Sequence, residues 1–453
     1  MLQAVSHLGI KYVRGENKNK SSPLFIYTLV MVETMKKSKY NYSFEYKNKY
    51  YIYNPYSGLC QLGEKAYEYY NESVKEWPVD LKEHLIERKY LIDDINEYTR
   101  FSIMRNRIIY NKNTLLMEIA PTLKCNCTCG YCFVSKCGEC MSEETEDAFI
   151  EFLEKRINQG VKTLKVTWFG GEPLMAYDVV KRLSCKIINL CDKNNVSYQA
   201  FLITNGILLT KQIVENFEKL RINGLQITLD GTEKFHNKER PCALTNGFKT
   251  ILSNLQLFTG KIKPIIRINV SKRNCGDVVN LLSDLNEFHP CIKSITFSPV
   301  ISINETDKSY GKDIFDGKEY SKWESKYIEY LNQYTKLRYE FHIKGKYVGD
   351  AAKIVNSFCM DPNGSLYKSG FMLGNKEWII TNIKNFNLIN CFSYKNFTKY
   401  FEESIEKKCQ DCFFLPYCVG GEASMTLGKC DSIRYNFDQL LKMYVDTLFE
   451  NKE

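Results

Sequence analysis

Six short, mostly apolar runs recur along the middle of the chain, at Leu115–Ala120, Leu164–Phe169, Ala200–Thr204, Leu225–Leu229, Ile265–Val270 and Ser294–Val300. Short continuous runs of this kind suit strands buried on both faces. Helical patterns lie between them. Phe149, Phe152, Leu153 and Ile157 share one helix face in the first interval, and Val180, Leu183, Ile187 and Leu190 share one in the second. Strand and helix in strict alternation require a parallel sheet with helices outside. The expectation is an α/β fold built on a partial, TIM-like (β/α)6 barrel. In such a barrel the functional groups sit in the loops after the strands.

The flanks have a different texture. Residues 1–110 are rich in Tyr and Lys; Tyr42–Tyr53 alternates loosely, Asn54–Gly58 reads as a turn, and Leu62–Leu91 carries two helical patterns. These features predict a small α+β domain of strands followed by helices. Residues 111–320 are assigned to the barrel and 321–453 to a linker and a Cys-rich unit. A chain of 453 residues exceeds one ordinary core, in keeping with several domains. The longest apolar stretch near the start, Leu24–Val32, is less than half of what spans a bilayer, and no small-residue cleavage site follows it. A cytoplasmic protein with no membrane partner is expected. The formal charge of +9 is scattered along the chain, so it predicts a solvated surface and no nucleic-acid partner, although a basic groove for an acidic peptide or nucleic acid stays open.

The chain has 18 Cys, several of them spaced two or three residues apart. With no export signal, such clusters point to metal rather than to disulfides. Four polar or glycine-rich signals follow four of the predicted strands. These are Cys125-Asn-Cys-Thr-Cys129-Gly-Tyr-Cys132, Gly170-Gly171-Glu172-Pro173, Thr204-Asn205-Gly206 and Asp230-Gly231. Cys125, Cys129 and Cys132 can hold three irons of a [4Fe–4S] cube and leave the fourth open to a small chelating molecule. A structural zinc site would be closed by a fourth ligand. Zinc and plain thiols remain alternatives, because Cys127 and the Cys137/Cys140 pair lie close by.

That cysteine spacing, Tyr131 before the last Cys, Gly170–Pro173 and Asp230-Gly231 together resemble the radical S-adenosylmethionine (SAM) superfamily over about 120–300. The resemblance implies a SAM-binding [4Fe–4S] cluster, and SAM whose amino and carboxylate groups bind the open iron and whose reductive cleavage gives a 5′-deoxyadenosyl radical. It places Gly170, Gly171 and Glu172 beside the methionyl amine. Thr204, Asn205, Thr228, Asp230, Arg240 and Arg267 join Tyr131 as cofactor-binding positions, with Arg240 clamping the SAM carboxylate. A surface ion pair is the plainer reading of Arg240. His236 is expected to brace its loop.

Near the C-terminus, Cys409, Cys412, Cys418 and Cys430 form a second group that resembles the auxiliary-cluster (SPASM) domain of peptide- and protein-modifying radical SAM enzymes. The chain departs from that pattern in one organised way. The cysteine expected after Gly364 is Ser369, the window 348–354 holds none, and Glu422 stands where one would follow Cys418. The resemblance assigns these three losses to one auxiliary cluster and the four surviving cysteines to the other. One auxiliary [4Fe–4S] cluster is therefore expected, with zinc as the alternative. Sulfatase-maturing members carry an Asp base where this chain has Gly370, which disfavours that activity.

The segment Tyr50–Cys60 and the phrase Ile119-Ala-Pro-Thr-Leu-Lys-Cys125 resemble maturases of ribosomally made peptides. The implied partners are a precursor peptide, whose leader would add a strand to the N-terminal unit, and an external flavodoxin- or ferredoxin-like electron donor. Thioether formation, carbon–carbon crosslinking and epimerisation all remain open as the modification. So do a whole-protein or small-molecule substrate and a catalytically inactive peptide-binding protein. Cys359 and Cys391 read as buried small hydrophobes, and Cys185 as a packing residue on a helix face.

Overall fold

The computed structural model describes residues 11–12, 35–72, 74, 77–93, 96–136, 138–243, 246–301, 310–387, 392–402, 404–424 and 430–449. In the N-terminal region β1 (Lys11–Tyr12), β3 (Tyr42–Tyr46), β4 (Lys49–Asn54) and β5 (Gly58–Leu62) form an antiparallel sheet in the order β1-β5-β4-β3. β2 (Lys36–Lys37) pairs separately with β6 (Leu91–Ile92). The β3–β4 turn passes through Lys47 and Asn48, both at positive φ. Helices α1 (Glu64–Asn71) and α2 (Val79–Glu87) pack Ala66, Tyr70, Leu81 and Leu85 against Ile52 and Leu62 of the sheet. Helix α3 (Glu97–Ile109) is capped by Asn96, whose side chain accepts from the amides of Tyr98 and Thr99.

The six apolar runs are strands: β7 (Thr114–Ile119), β8 (Thr163–Trp168), β9 (Ser197–Thr204), β10 (Ile222–Thr228), β11 (Pro264–Val270) and β12 (Ser294–Pro299). They lie side by side in chain order and all pair in parallel. Helices α4 (Glu143–Asn158), α5 (Tyr177–Lys193), α6 (Lys211–Asn216), α7 (Glu233–Glu239), α8 (Gly247–Leu255) and α9 (Val278–Leu285) make the crossovers. Each predicted stripe on α4 and α5 faces the core, with only Leu190 half-buried.

One expectation is corrected. The strands are not buried alike on both faces. Leu115, Met117 and Ile119 pack with Phe149, Phe152 and Leu153 of α4, whereas Leu116 and Glu118 are only half-buried. Successive side chains of a strand point to opposite faces, so the second set lines the barrel interior. That interior is a cavity rather than a filled core, which is why it tolerates Glu118, Gln226, Thr228 and Arg267.

Both edges of the open barrel are covered. Beyond β7, β13 (Ser357–Met360) pairs in parallel, followed by antiparallel β14 (Ser365–Tyr367) and β15 (Thr381–Asn382), giving a nine-stranded sheet. Beyond β12, Ile295 donates to Arg338 O (2.7 Å) and accepts from the Glu340 amide (3.1 Å). Unpaired edge amides are thereby satisfied. Helix α10 (Gly317–Tyr334) starts with a capping box of Asp316 and Glu319 and packs on the final helix, α14 (Ile433–Phe449), after three short helices at Lys395–Thr398, Lys407–Gln410 and Leu415–Cys418. The boundary drawn after residue 320 falls inside α10. The same final helix holds the N-terminal sheet: Tyr42 and Tyr46 donate to Asp438 (2.9 Å) and Asp446 (2.8 Å). Among the described residues no helix is long and apolar enough to cross a membrane.

Candidate active site at the barrel rim

The loop after β7 carries Cys125, Cys129 and Cys132, and the loop after β8 lies directly against it. The Gly171 amide donates to Thr122 O (3.1 Å) and the Glu172 amide to Lys124 O (2.9 Å). Gly170 has φ +122°, and a Cβ there would meet Ala120 Cβ and Thr122 O at 2.7 Å; one at Gly171 would run into the carbonyls of Leu123 and Lys124. The glycine pair is thus required by contact between two protein loops, a reason additional to the close approach of SAM implied by the motif.

Glu172 is buried, 1% exposed, and engaged by the chain itself. Oε1 accepts from the Leu174 amide (3.1 Å) and the Thr204 hydroxyl (2.7 Å), and Oε2 from the Asn205 amide (2.7 Å). Burial pushes its pKa up to about 7 in spite of these bonds. The carboxylate therefore clamps the β8 loop to the β9 loop. Asn205 Nδ2 reaches back to Asn126 Oδ1 (2.7 Å) and Cys127 Sγ (3.4 Å), tying the β9 loop to the cysteine loop. Cys127 itself is a buried free thiol that is hydrogen-bonded to Cys125, and its backbone pairs with that of Cys242. Cys140 is exposed and pairs with Thr122 at the loop base. Cys137 and Cys391 lie outside the described residues.

A polar cluster closes the opposite wall. The Tyr131 hydroxyl bonds Asp230 Oδ2 and accepts from Arg240 Nη1 (2.5 Å) and Asn269 Nδ2 (3.1 Å). The Asn269 amide donates to Asp230 Oδ1 (2.8 Å), Arg240 Nη1 stands 3.5 Å from Asp230, and Arg267 Nε donates to Asn269 Oδ1 (2.9 Å). Burial raises the Asp230 pKa, and Arg240 opposes that. Arg240 is 9% exposed, so the surface ion-pair reading is set aside. Burial alone would lower its pKa, but Cys129, Tyr131 and Asp230 around it hold it well above the usual value. His236 accepts from the Asp230 amide (3.3 Å) and burial drives its pKa down to about 3, as befits a brace.

These walls enclose a cavity of about 370 Å³, within the range of small-molecule sites. It is lined by Cys125, Cys129, Cys132 and every candidate cofactor residue except Asp230, which stands one layer behind Tyr131 and Arg240. Two observations bear on the fit of a cluster with SAM. The three thiols line one cavity while Cys127 does not, and among the described residues Arg240 Nε is a buried donor without a partner, as an anionic group would require. The residues fit the group.

At the C-terminal group, Arg434 Nη1 lies 3.6 Å from Cys430 Sγ and 4.0 Å from Cys412 Sγ. Cys412 and Cys430 both act electrostatically on Cys409, and Cys412 on Cys418. Cys418 receives the amides of Gly420 and Gly421, both at positive φ. Four thiols with peptide donors fit an auxiliary cluster. Next to Ser369, which stands where the resemblance expects a cysteine, lies the buried Lys368. Its ammonium donates to Ile354 O (2.6 Å) and Ser357 O (2.7 Å), 5.0 Å from the rings of Phe358 and Phe397. Among the described residues no three His, Cys, Asp or Glu side chains form a site for a single metal ion.

Sequence reasoning passed over Glu118, Asn126 and Lys368. Glu118 had a signal, since it is the one charged residue in an otherwise apolar strand. Asn126 and Lys368 had none, because their partners come from other loops. Cys185 is exposed on α5, so it does not serve packing; Cys359 is buried as expected, but hydrogen-bonded to Glu118.

Residues 119–274 match the radical SAM superfamily. The chain is 22% identical over 269 residues to the radical SAM cyclopropyl synthase TigE of Paramaledivibacter caminithermalis, covering 51% of this chain and 55% of that one. It therefore spans about half the length of that relative. It is 26% identical over 293 residues to a GTP 3′,8-cyclase of Clostridium perfringens, covering 59% of this chain and 82% of that one. Among solved structures, anSMEcpe with bound AdoMet and a Cp18Cys peptide superposes with a TM-score of 0.59 at 17% identity, over 74% of this chain and 98% of that one. Streptococcus suis SuiB bound to its precursor peptide SuiA superposes with a TM-score of 0.51 at 14% identity, over 85% and 94%. This chain carries a radical SAM domain on the radical SAM α/β fold, and the cofactors such a domain implies are a [4Fe–4S] cluster and S-adenosylmethionine.

Proposed function

We propose that this radical SAM enzyme modifies a ribosomally made precursor peptide. The observation that carries the chemistry is the convergence of Cys125, Cys129 and Cys132 with the unpartnered Nε of Arg240 on one cavity. Bound there, the cluster and SAM supply a 5′-deoxyadenosyl radical. The protein's share is placement. Cys125, Cys129 and Cys132 would hold the cluster, and Arg240 would receive the SAM carboxylate. Glu172 keeps Oε2 capacity toward the methionyl ammonium while fixing the second and third loops, and Asp230 and Asn269 hold Tyr131 and Arg240 in register.

Support for a peptide comes from three directions. The anSMEcpe and SuiB structures contain peptides, and their folds superpose on this chain. Beside the rim cavity runs a second one of about 540 Å³ that shares Gln226, Arg267 and Asp350 with it and reaches Tyr417 and Asp431, neighbours of the C-terminal cysteines. Among the described residues the outer side of β3 has no strand partner, which offers an edge to an extended leader. The four C-terminal thiols would pass electrons or hold their unit over the barrel mouth, and a flavodoxin- or ferredoxin-like protein would supply the reductant.

A small-molecule substrate is the second reading, favoured by the resemblance to GTP 3′,8-cyclases. Anaerobically reconstituted protein with SAM and dithionite should release 5′-deoxyadenosine. None above background would sink both readings and leave a binding role. The region beside the gene should encode a short candidate precursor peptide; with it added, a mass change on that peptide supports maturation, and its absence or an unmodified peptide supports the small-molecule alternative.

A further inference from the structure

Glu118 is a carboxylate the foregoing chemistry leaves without work. It sits one residue before the end of β7, on the face that lines the barrel, and its side chain forms part of the cavity wall shared with Cys125, Cys129 and Cys132. A barrel strand normally spends such a position on an apolar or small residue. Its surroundings are built to keep it there without a counter-ion. The register partner on β13, Cys359, donates its thiol to the carboxylate. Thr167 is the register partner on β8. From the C-terminal unit come Asp350, a like charge, and Gly370, where any Cβ would run into Glu118 Oε2. Lys368 lines the same cavity, but its ammonium is held by two backbone carbonyls. Among the described residues no ion pair reaches Glu118.

We propose that Glu118 is the proton acceptor of the reaction cavity, taking a proton from the bound substrate at the S–H, N–H or C–H group where the new bond forms. In that step the X–H bond breaks, its electron pair stays on X, and an O–H bond forms on the carboxylate. The assignment rests on the peptide-modifying reading. Burial and Asp350 push the Glu118 pKa up to about 7, against the Cys359 bond that lowers it, so the group is poised to accept and release a proton near neutrality.

The test is conversion of a candidate precursor peptide, sought as a short open reading frame beside the gene, by the reconstituted enzyme with SAM and dithionite, read as modified peptide per 5′-deoxyadenosine released and followed against pH. For the wild type this ratio should rise through about pH 7. Glu118→Gln should lower it roughly a hundredfold and flatten the profile, and Glu118→Asp should keep a pH-dependent limb. Gly370→Ala, whose methyl displaces the carboxylate from outside, should move the limb without removing a titrating group. An unchanged ratio and profile in Glu118→Gln, or an unmoved limb in Gly370→Ala, overturns the proposal alone. A wild type that releases 5′-deoxyadenosine but modifies no peptide overturns the peptide reading and this proposal with it.

Discussion

At Gly171 a methyl group would enter the space of two carbonyl oxygens that belong to the cysteine loop. Backbone cannot rotate out of the way as a side chain can. Gly171→Ala should therefore lower stability by about 1–3 kcal/mol and reduce iron retention, read by thermal melting and iron analysis. Arg240 makes the opposite argument, from a donor lacking a partner. Removing a charge-assisted bond costs about 1.5–3 kcal/mol, so Arg240→Ala should weaken SAM binding at least about tenfold by calorimetry, with Arg240→Lys recovering part of it. Cys125→Ala should abolish 5′-deoxyadenosine formation. Cys185→Ala, at an exposed position, should change stability by less than about 0.5 kcal/mol. Retained cleavage in the Cys125 variant would contradict the site.

Among the elements, the pairing of α10 with α14 has its own pH dependence. Glu324 of α10 accepts from Ser432 (3.1 Å), Asn436 (3.0 Å) and Tyr339 (3.3 Å), and burial still pushes its pKa up to about 7. In the unfolded chain it titrates near about 4.3. Between about pH 4 and about pH 7 the unfolded state has lost the proton that the folded state keeps, so the unfolded state binds fewer protons and stability falls as pH rises. Glu324→Gln should make that fall in melting temperature shallower. An identical slope in the variant would show that the group is ionised in the folded protein throughout.

For the whole molecule, the cysteine groups set a metal count. Two cubes predict about eight irons per chain, and Cys409→Ser should bring the count to about four while sparing the rim cluster. A value near twelve would require a third cluster, for which the chain has no cysteine at Ser369 or in the window 348–354. Zinc in the C-terminal group would leave about four irons in the unaltered protein. The final helix also joins the molecule's ends, since Asp438 and Asp446 accept from the two tyrosines of β3. Phe437 packs edge-on to Tyr42 at 5.2 Å.

Chain order and residue type were enough to place the six strands and to single out most of the residues that the fold gathers around one cavity, because each depends on local spacing: period along a strand, residue separation along a loop. Three matters were decided only in three dimensions. Which cysteines meet the cavity turned on loop packing, with Cys127 buried in the core cluster and its backbone paired with that of Cys242. The burial and alignment of Arg240 depended on Tyr131, more than a hundred residues away in sequence. Glu118 became a candidate only once β13 and Gly370 arrived from the far end of the chain to surround it. Spacing along a chain is written in its sequence, but the dielectric and the partners around a side chain belong to whatever the fold brings beside it.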